Sequence, residues 1–253
     1  MVLFLGVIAL PLCGQEKKHL TPADAAYQNP ALYARGLSGL QWIPETNFYS
    51  FIAKNKLVLT DASNGKSDTI LSLSELTDLF AKLSLKAPSR FPAVSFKNRH
   101  EILIQRDKVL LTINLKDKQI KKNCEWPADA ANLDLANSTY YAAFTRKNNL
   151  WVVLGSDTIN ISKEANPDIV YGAENVHRNE FGITKGTFWS PDGSKLAFYR
   201  MDQTMVTDYP LVDINTRPAE LNSIKYPMAG MKSHQVTIGI FDTKNQSVIY
   251  LKT

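Results

Sequence analysis

Four consecutive residues, His177, Arg178, Asn179 and Glu180, bring an imidazole, a guanidinium, an amide and a carboxylate together. They lie in the stretch Val176-His177-Arg178-Asn179-Glu180-Phe181-Gly182-Ile183. That stretch has neither a helical nor a strand period, so it reads as a loop or a short helix. A carboxylate such as Glu180 can hold a cation through charge-assisted hydrogen bonds, and the Asn179 amide can add neutral ones beside it. A solvated turn accounts for the same four residues, and the run by itself does not decide between the two. Machinery for breaking bonds is not apparent. No Gly-x-Ser-x-Gly elbow occurs, so no catalytic residue is assigned. The histidines His19, His100, His177 and His234 are far apart and none has a ligand spacing, so no metal and no cofactor is expected.

These residues must be positioned by a sizeable fold. The chain has 253 residues, of which 44% are apolar and 10% aromatic, enough for one large core or two small ones. Its net charge is +5, with Lys and Arg scattered among Asp and Glu. No basic run exceeds two residues, so a nucleic-acid partner is not expected. Residues 1–14, MVLFLGVIALPLCG, are apolar and uncharged. They are too few to span a bilayer as a helix and suit an export signal peptide. The chain is therefore expected to be periplasmic or extracellular, with Cys13 in a poor lipobox as an alternative lipid anchor. Removal of that signal leaves Cys124 alone, without an intrachain disulfide partner.

Residues 15–38 read as an N-terminal helical segment. Thr21 caps a helix that begins at Pro22 and should stop near Asn29-Pro30. A second helix is predicted over 73–83, with Ser72 and Glu75 as a capping box and Leu73, Leu76, Leu79, Phe80 and Leu83 at helical spacing. The rest, 39–253, reads as short strands in four irregular copies of one unit. The copies run through 40–44, 48–52, 56–60 and 69–71; then 91–96, 101–105 and 109–114; then 140–145, 150–154 and 158–161; then 187–193, 196–199, 236–241 and 248–251. Asn55, Asn64-Gly65, Asn98, Asn148-Asn149 and Asp192-Gly193 supply turns. Units of this length predict an all-β chain, a partial β-propeller of four to five blades with short N-terminal helices. A β-sandwich also has short, regular strands, but the long insert at 200–235 disfavours it.

From Asp168 to Asp242 the chain resembles the propeller of the dipeptidyl peptidase IV branch of the prolyl oligopeptidase family. The resemblance rests on Asp168-Ile169-Val170-Tyr171-Gly172 and on the run from Val176 to Phe181. It also rests on Trp189-Ser190-Pro191-Asp192-Gly193, on Leu196-Ala197-Phe198-Tyr199 and on Tyr226-Pro227-Met228-Ala229-Gly230. Arg200-Met201-Asp202-Gln203-Thr204-Met205-Val206, followed by Tyr209-Pro210, looks like the bacterial members. Residues 20–167 resemble the family more weakly, through blade pattern.

The resemblance implies an eight-bladed propeller capping an α/β-hydrolase domain. It also implies a serine exopeptidase that releases short peptides from a free N-terminus, usually after proline. Its partners would be a peptide substrate with a free N-terminus, the C-terminal hydrolase domain and a second copy in a homodimer. In the family a tandem Glu-Glu holds the substrate's α-ammonium; it aligns on Asn179-Glu180, where only Glu180 keeps a carboxylate. Arg178 and His177 are neighbours of that site. A prolyl tripeptidyl peptidase subgroup also lacks the full acidic pair, so dipeptide and tripeptide release are both open. No residue matches the family's arginine that approaches the substrate carbonyl; Lys121 and Lys122 lie in that general region. The chain stops at Thr253 after four or five blades, and by this reading it is a fragment, inactive and marginally stable alone; the alternative is a non-catalytic exported propeller used for protein or peptide binding.

Overall fold

The structure is a computed structural model and describes residues 19–26, 32, 36–173 and 182–252. The chain divides into a unit of residues 1–38 and a unit of residues 39–253. In the first, α1 (Pro22–Ala26) is capped by Thr21, whose hydroxyl accepts from the Asp24 amide at 3.1 Å while the Asp24 carboxylate accepts from the Thr21 amide at 3.1 Å. The expected end of this helix, near Asn29-Pro30, lies outside the described residues, as do the signal segment 1–14 and Cys13.

The second unit is a partial β-propeller of four blades. Blade 1 runs β1 (Ser38–Trp42), β2 (Phe48–Ala53), β3 (Lys56–Asp61), β4 (Ser67–Ser72) in spatial order. Blade 2 is β5 (Ser95–Asn98), β6 (Glu101–Arg106), β7 (Val109–Asn114), β8 (Gln119–Glu125). Blade 3 is β9 (Ala131–Leu135), β10 (Ala142–Arg146), β11 (Asn149–Leu154), β12 (Asp157–Asn160). Blade 4 has two first strands, β13 (Ile169–Tyr171) and β14 (Thr187–Trp189), both paired with β15 (Lys195–Asp202), and continues to β18 (Gln235–Asp242) and β19 (Ser247–Tyr250). Between β15 and β18 lies a separate hairpin, β16 (Asp208–Asp213) and β17 (Glu220–Lys225).

Five strands depart from the sequence expectation: β8, β9, β13 and, within the expected insert, β16 and β17. β8 completes blade 2 where no strand was predicted. Its Lys121 and Lys122 leave only Ile120 and Cys124 to mark a buried face, so the alternation is faint. β9 opens blade 3, which the sequence places from residue 140. Its Asn132 and Asp134 are poor strand formers, and Asn132 has φ +50° at a bulge. β13, three residues long, is the first half of a divided strand.

Period-2 alternation sends the two faces of a middle strand to two different neighbours. In β10, Ala142 and Phe144 pack with Leu110, Cys124 and Trp126 of blade 2. Ala143, one residue out of phase, packs with Leu196, Phe198 and Phe241 of blade 4. A third core joins Leu57 and Leu71 of blade 1 to Ile102, Leu111 and Ile113 of blade 2. Helix α2 (Leu73–Lys82) closes that core with Leu76, Leu79 and Phe80. The expected capping box forms: the Glu75 amide donates to the Ser72 hydroxyl at 3.2 Å, and the Ser72 amide donates to the Glu75 carboxylate at 2.7 Å. These bonds from Ser72 hold the Glu75 carboxyl below its ordinary pKa.

Blades 1, 2 and 3 join their second and third strands identically. Lys54-Asn55, Asp107-Lys108 and Lys147-Asn148 all have positive φ at both residues, as a two-residue type I′ hairpin requires. Blade 4 has no such turn; residues 203–234 take its place. On β16 and β17, Leu211, Val212, Leu221 and Ile224 are exposed.

Candidate functional site

The site is built where the first strand of blade 4 is cut. β13 ends at Tyr171, opposite Arg200, and β14 starts at Thr187, opposite Phe198. Tyr199 alone faces the break. Its amide donates to the Gly186 carbonyl at 3.0 Å and its carbonyl accepts from the Gly172 amide at 2.8 Å. The chain therefore leaves the sheet at Gly172 and rejoins it at Gly186, at one position of β15. The two legs touch backbone to backbone: a Cβ on Gly186 would lie 2.2 Å from the Ala173 carbonyl oxygen. Only glycine allows that approach.

Blade 3 holds both legs from the side. On the outgoing leg, the Tyr171 amide donates to the Asn148 carbonyl at 2.9 Å. On the returning leg, Asp134 of β9 receives three side chains. The Lys185 ammonium lies 3.3 Å from its carboxylate, the buried Thr187 hydroxyl donates to Oδ2 at 3.0 Å, and the Trp189 indole donates to its main-chain oxygen at 3.1 Å. Asp134 is itself only 15% exposed.

Around the outgoing leg the charges are also fixed. Arg200 donates from Nε to the Tyr171 hydroxyl at 3.2 Å and lies 3.9 Å from Asp202. The Tyr250 phenol is pushed up to about 12, first by burial and then by its hydrogen bond with Tyr171. Lys225, at the foot of the hairpin, pairs with Asp168 at 3.4 Å and Asp208 at 3.2 Å, and the Asp208 contact is the larger cause of its raised pKa.

Glu180, Asn179, Arg178 and His177 belong to the insert between these legs and lie outside the described residues. Lys121 and Lys122 lie in the general region of the family's carbonyl-directed arginine, and neither is assigned that role. Both stand on β8, at the opposite edge of blade 2 from its first strand, and line a cleft of about 480 Å³ with Cys124, Val153 and Ser156. Lys122 is there engaged with Glu125 at 2.8 Å. The buried Cys124 thiol packs with Leu110 and Trp126, and that burial raises its pKa to about 11. Among the described residues no group of His, Cys, Asp or Glu can hold a metal ion. What the described arrangement does is fix a loop at both ends.

Asp134, Tyr199 and Gly186 went unassigned at the level of sequence. One signal existed for the first: Lys185, Thr187 and Trp189 stand at alternate positions and so share a face. Nothing in the sequence says which neighbour that face meets.

Residues 94–253 match the family described as the dipeptidyl peptidase IV (DPP IV) N-terminal region. Over 154 residues the chain is 30% identical to a protein assigned as a dipeptidyl-aminopeptidase B of Pyrenophora tritici-repentis, covering 52% of this chain and 17% of that protein. It is also 30% identical over 126 residues to the dipeptidyl-aminopeptidase B of Aspergillus niger, covering 44% and 14%. The chain thus spans less than a fifth of the length of these curated relatives. Among solved structures, a protein assigned as a dipeptidyl aminopeptidase IV of Bacteroides ovatus superposes with a TM-score of 0.76 at 36% identity, over 87% of this chain and 30% of that one. Dipeptidyl peptidase 4 of Porphyromonas gingivalis shares the fold, with a TM-score of 0.63 at 19% identity over 94% and 35%. With four propeller blades, a divided first strand in the fourth and a family match over 94–253, this chain belongs to the dipeptidyl peptidase IV N-terminal region family.

Proposed function

We propose that this chain is the substrate-gating propeller part of an exported serine exopeptidase that releases di- or tripeptides from a free N-terminus, usually after proline. In this reading Glu180 binds the substrate's α-ammonium and Asn179 stands beside it as a neutral hydrogen-bonding partner, with Arg178 and His177 as neighbours. The observation that carries it is the anchored insert: both legs are fixed to Tyr199 of β15 and to blade 3, inside the stretch that matches the family. A carboxylate on a loop so held can measure peptide length, because the amine is kept at a set distance from the nucleophile of the hydrolase domain. One carboxylate in place of two leaves room for a longer product.

The test is Glu180→Gln in the full-length enzyme, on Pro-containing peptides with free and with acetylated N-termini. Removing one partner of a partly buried charged pair costs about 2–5 kcal/mol. The expected loss of kcat/KM on free peptides is therefore about thirty-fold to several thousand-fold. Acetylated peptides, already poor, lose little further. Equal losses on both, or none on either, would mean that Glu180 is not the amine anchor. Asn179→Glu then asks about length, with a shift toward dipeptide release expected.

A further inference from the structure

We propose that Asp134, on blade 3, is a positioning residue for amine recognition by blade 4, acting through the returning leg of the insert. The inference rests on the reading of Glu180 given above. Its basis is a convergence. Lys185, Thr187 and Trp189 stand at alternate positions, so the leg presents them on one face, and all three end on Asp134. No other described residue receives hydrogen bonds from three side chains of that leg.

Asp134 is aimed there by a bulge. In the pairing of β9 with β10, Ala143 faces Asp134 but Thr145 faces Ala131, so β9 carries one residue more than its partner. Asn132 takes up the extra length with φ +50°, and its side-chain amide donates to the Thr145 hydroxyl at 2.9 Å. A bulge re-aims the side chains around it, and the one re-aimed here is a largely buried carboxylate.

The chemistry fits a tether better than a generic contact between blades. The Thr187 hydroxyl is buried, and its hydrogen bond goes to Asp134. Lys185 keeps half of its side chain in water, and its ammonium approaches both carboxylate oxygens at 3.3 Å. Lys185 follows Glu180 by five positions in the chain. A leg released at Lys185 and Thr187 loses its side-chain tether to blade 3 on the side that follows Glu180 and keeps only its backbone bonds to β15 and the Trp189 contact. Blade packing elsewhere rests on the apolar cluster of Ala143, Leu150, Leu196 and Phe198, which this substitution leaves intact.

The test uses the full-length enzyme carrying Asp134→Ala, with Asp134→Asn and Thr187→Val as milder changes. Two readouts are combined. Hydrogen exchange of the 185–189 amides should speed up in Asp134→Ala while the β10 and β11 amides keep their protection. KM for peptides with a free N-terminus should rise about ten- to a hundred-fold with kcat nearly unchanged, since misplacement by about 1 Å reaches that size. Acetylated peptides should show no matching rise. Asp134→Asn keeps an acceptor for Thr187 and should fall between wild type and alanine; Thr187→Val should follow it. Unchanged exchange at 185–189, or equal KM changes on free and acetylated peptides, overturns the proposal. If Asp134→Ala does not fold, the same criteria apply to Asp134→Asn and Thr187→Val. Failure of the Glu180 reading shows separately, as a Glu180→Gln variant with no amine selectivity.

Discussion

Blades 3 and 4 are each an antiparallel sheet and pack through a common core, yet differ at two connections. Blade 3 runs β9 to β12 with one two-residue turn, Lys147-Asn148, between its middle strands. Blade 4 has residues 203–234 at the corresponding place and also breaks its first strand between Tyr171 and Thr187. The ladder of blade 4 survives both interruptions because β15 and β18 pair without a break over eight positions. Those two strands carry the fold. The first strand, at the edge, can be divided, since each half still finds partners on β15. Comparing the two blades shows how a propeller gains a site without altering its core: insertions leave from an edge strand and from a hairpin turn, and the paired centre stays fixed.

That comparison can be broken at three points. The largest effect is expected in the regular blade. Phe144 is fully buried, stacks on Trp151 with ring centroids 6.4 Å apart, and fills the core between blades 2 and 3. Phe144→Ala should lower stability by about 3–5 kcal/mol, measured by denaturant unfolding. A loss below about 1 kcal/mol would mean that the regular blades do not hold the fold by packing.

The next effect belongs to the neck of the insert. Gly186→Ala places a methyl group against the Gly172-Ala173 backbone, which cannot yield as a side chain can. A destabilisation of about 1–3 kcal/mol is expected, smaller than that of Phe144→Ala because the strain is local. In the full-length enzyme its loss of kcat/KM should fall mainly on peptides with a free N-terminus. Normal activity on those peptides would separate the neck from the site.

The smallest effect lies in the blade 4 turn before β15. The Asp192 carboxylate accepts from the Ser190 hydroxyl at 2.6 Å and from the Ser194 amide at 3.1 Å. Those bonds, with Ser190 the first cause, bring its pKa down to about 2. A carboxyl depressed in the folded state contributes its stability above its ordinary pKa near 4, and loses it as pH falls through about 2. The difference in melting temperature between wild type and Asp192→Asn should thus be steady above about pH 4 and shrink toward pH 2. A difference that grows on acidification would contradict the assignment. The group is fully exposed, so the difference should be small throughout.

Some of this was readable from residues alone, and the reason is locality. Ser72 with Glu75, the heptad-like row Leu76, Leu79 and Phe80, and Asn55 or Asn148 at tight turns all act through neighbours a few positions away. The strand cores 109–113 and 150–154 carry apolar residues on both faces, as strands sandwiched between blades must. The blade count follows from the repetition of such segments, and the family likeness from the motifs between Asp168 and Asp242. β8 and β9 were not readable, because an edge strand with one face toward water carries too few apolar positions to show a period.

The site divides in the same way. Glu180 was singled out by residue type and by its place in a family pattern, both properties of sequence. Its support was not. Asp134 lies 51 positions from Lys185, and Tyr199 closes the neck from a strand that comes after the insert. Contacts at such separation depend on which face of one blade meets which face of the next. That is set by the register of whole sheets and by the bulge at Asn132, and no local pattern of residues encodes it.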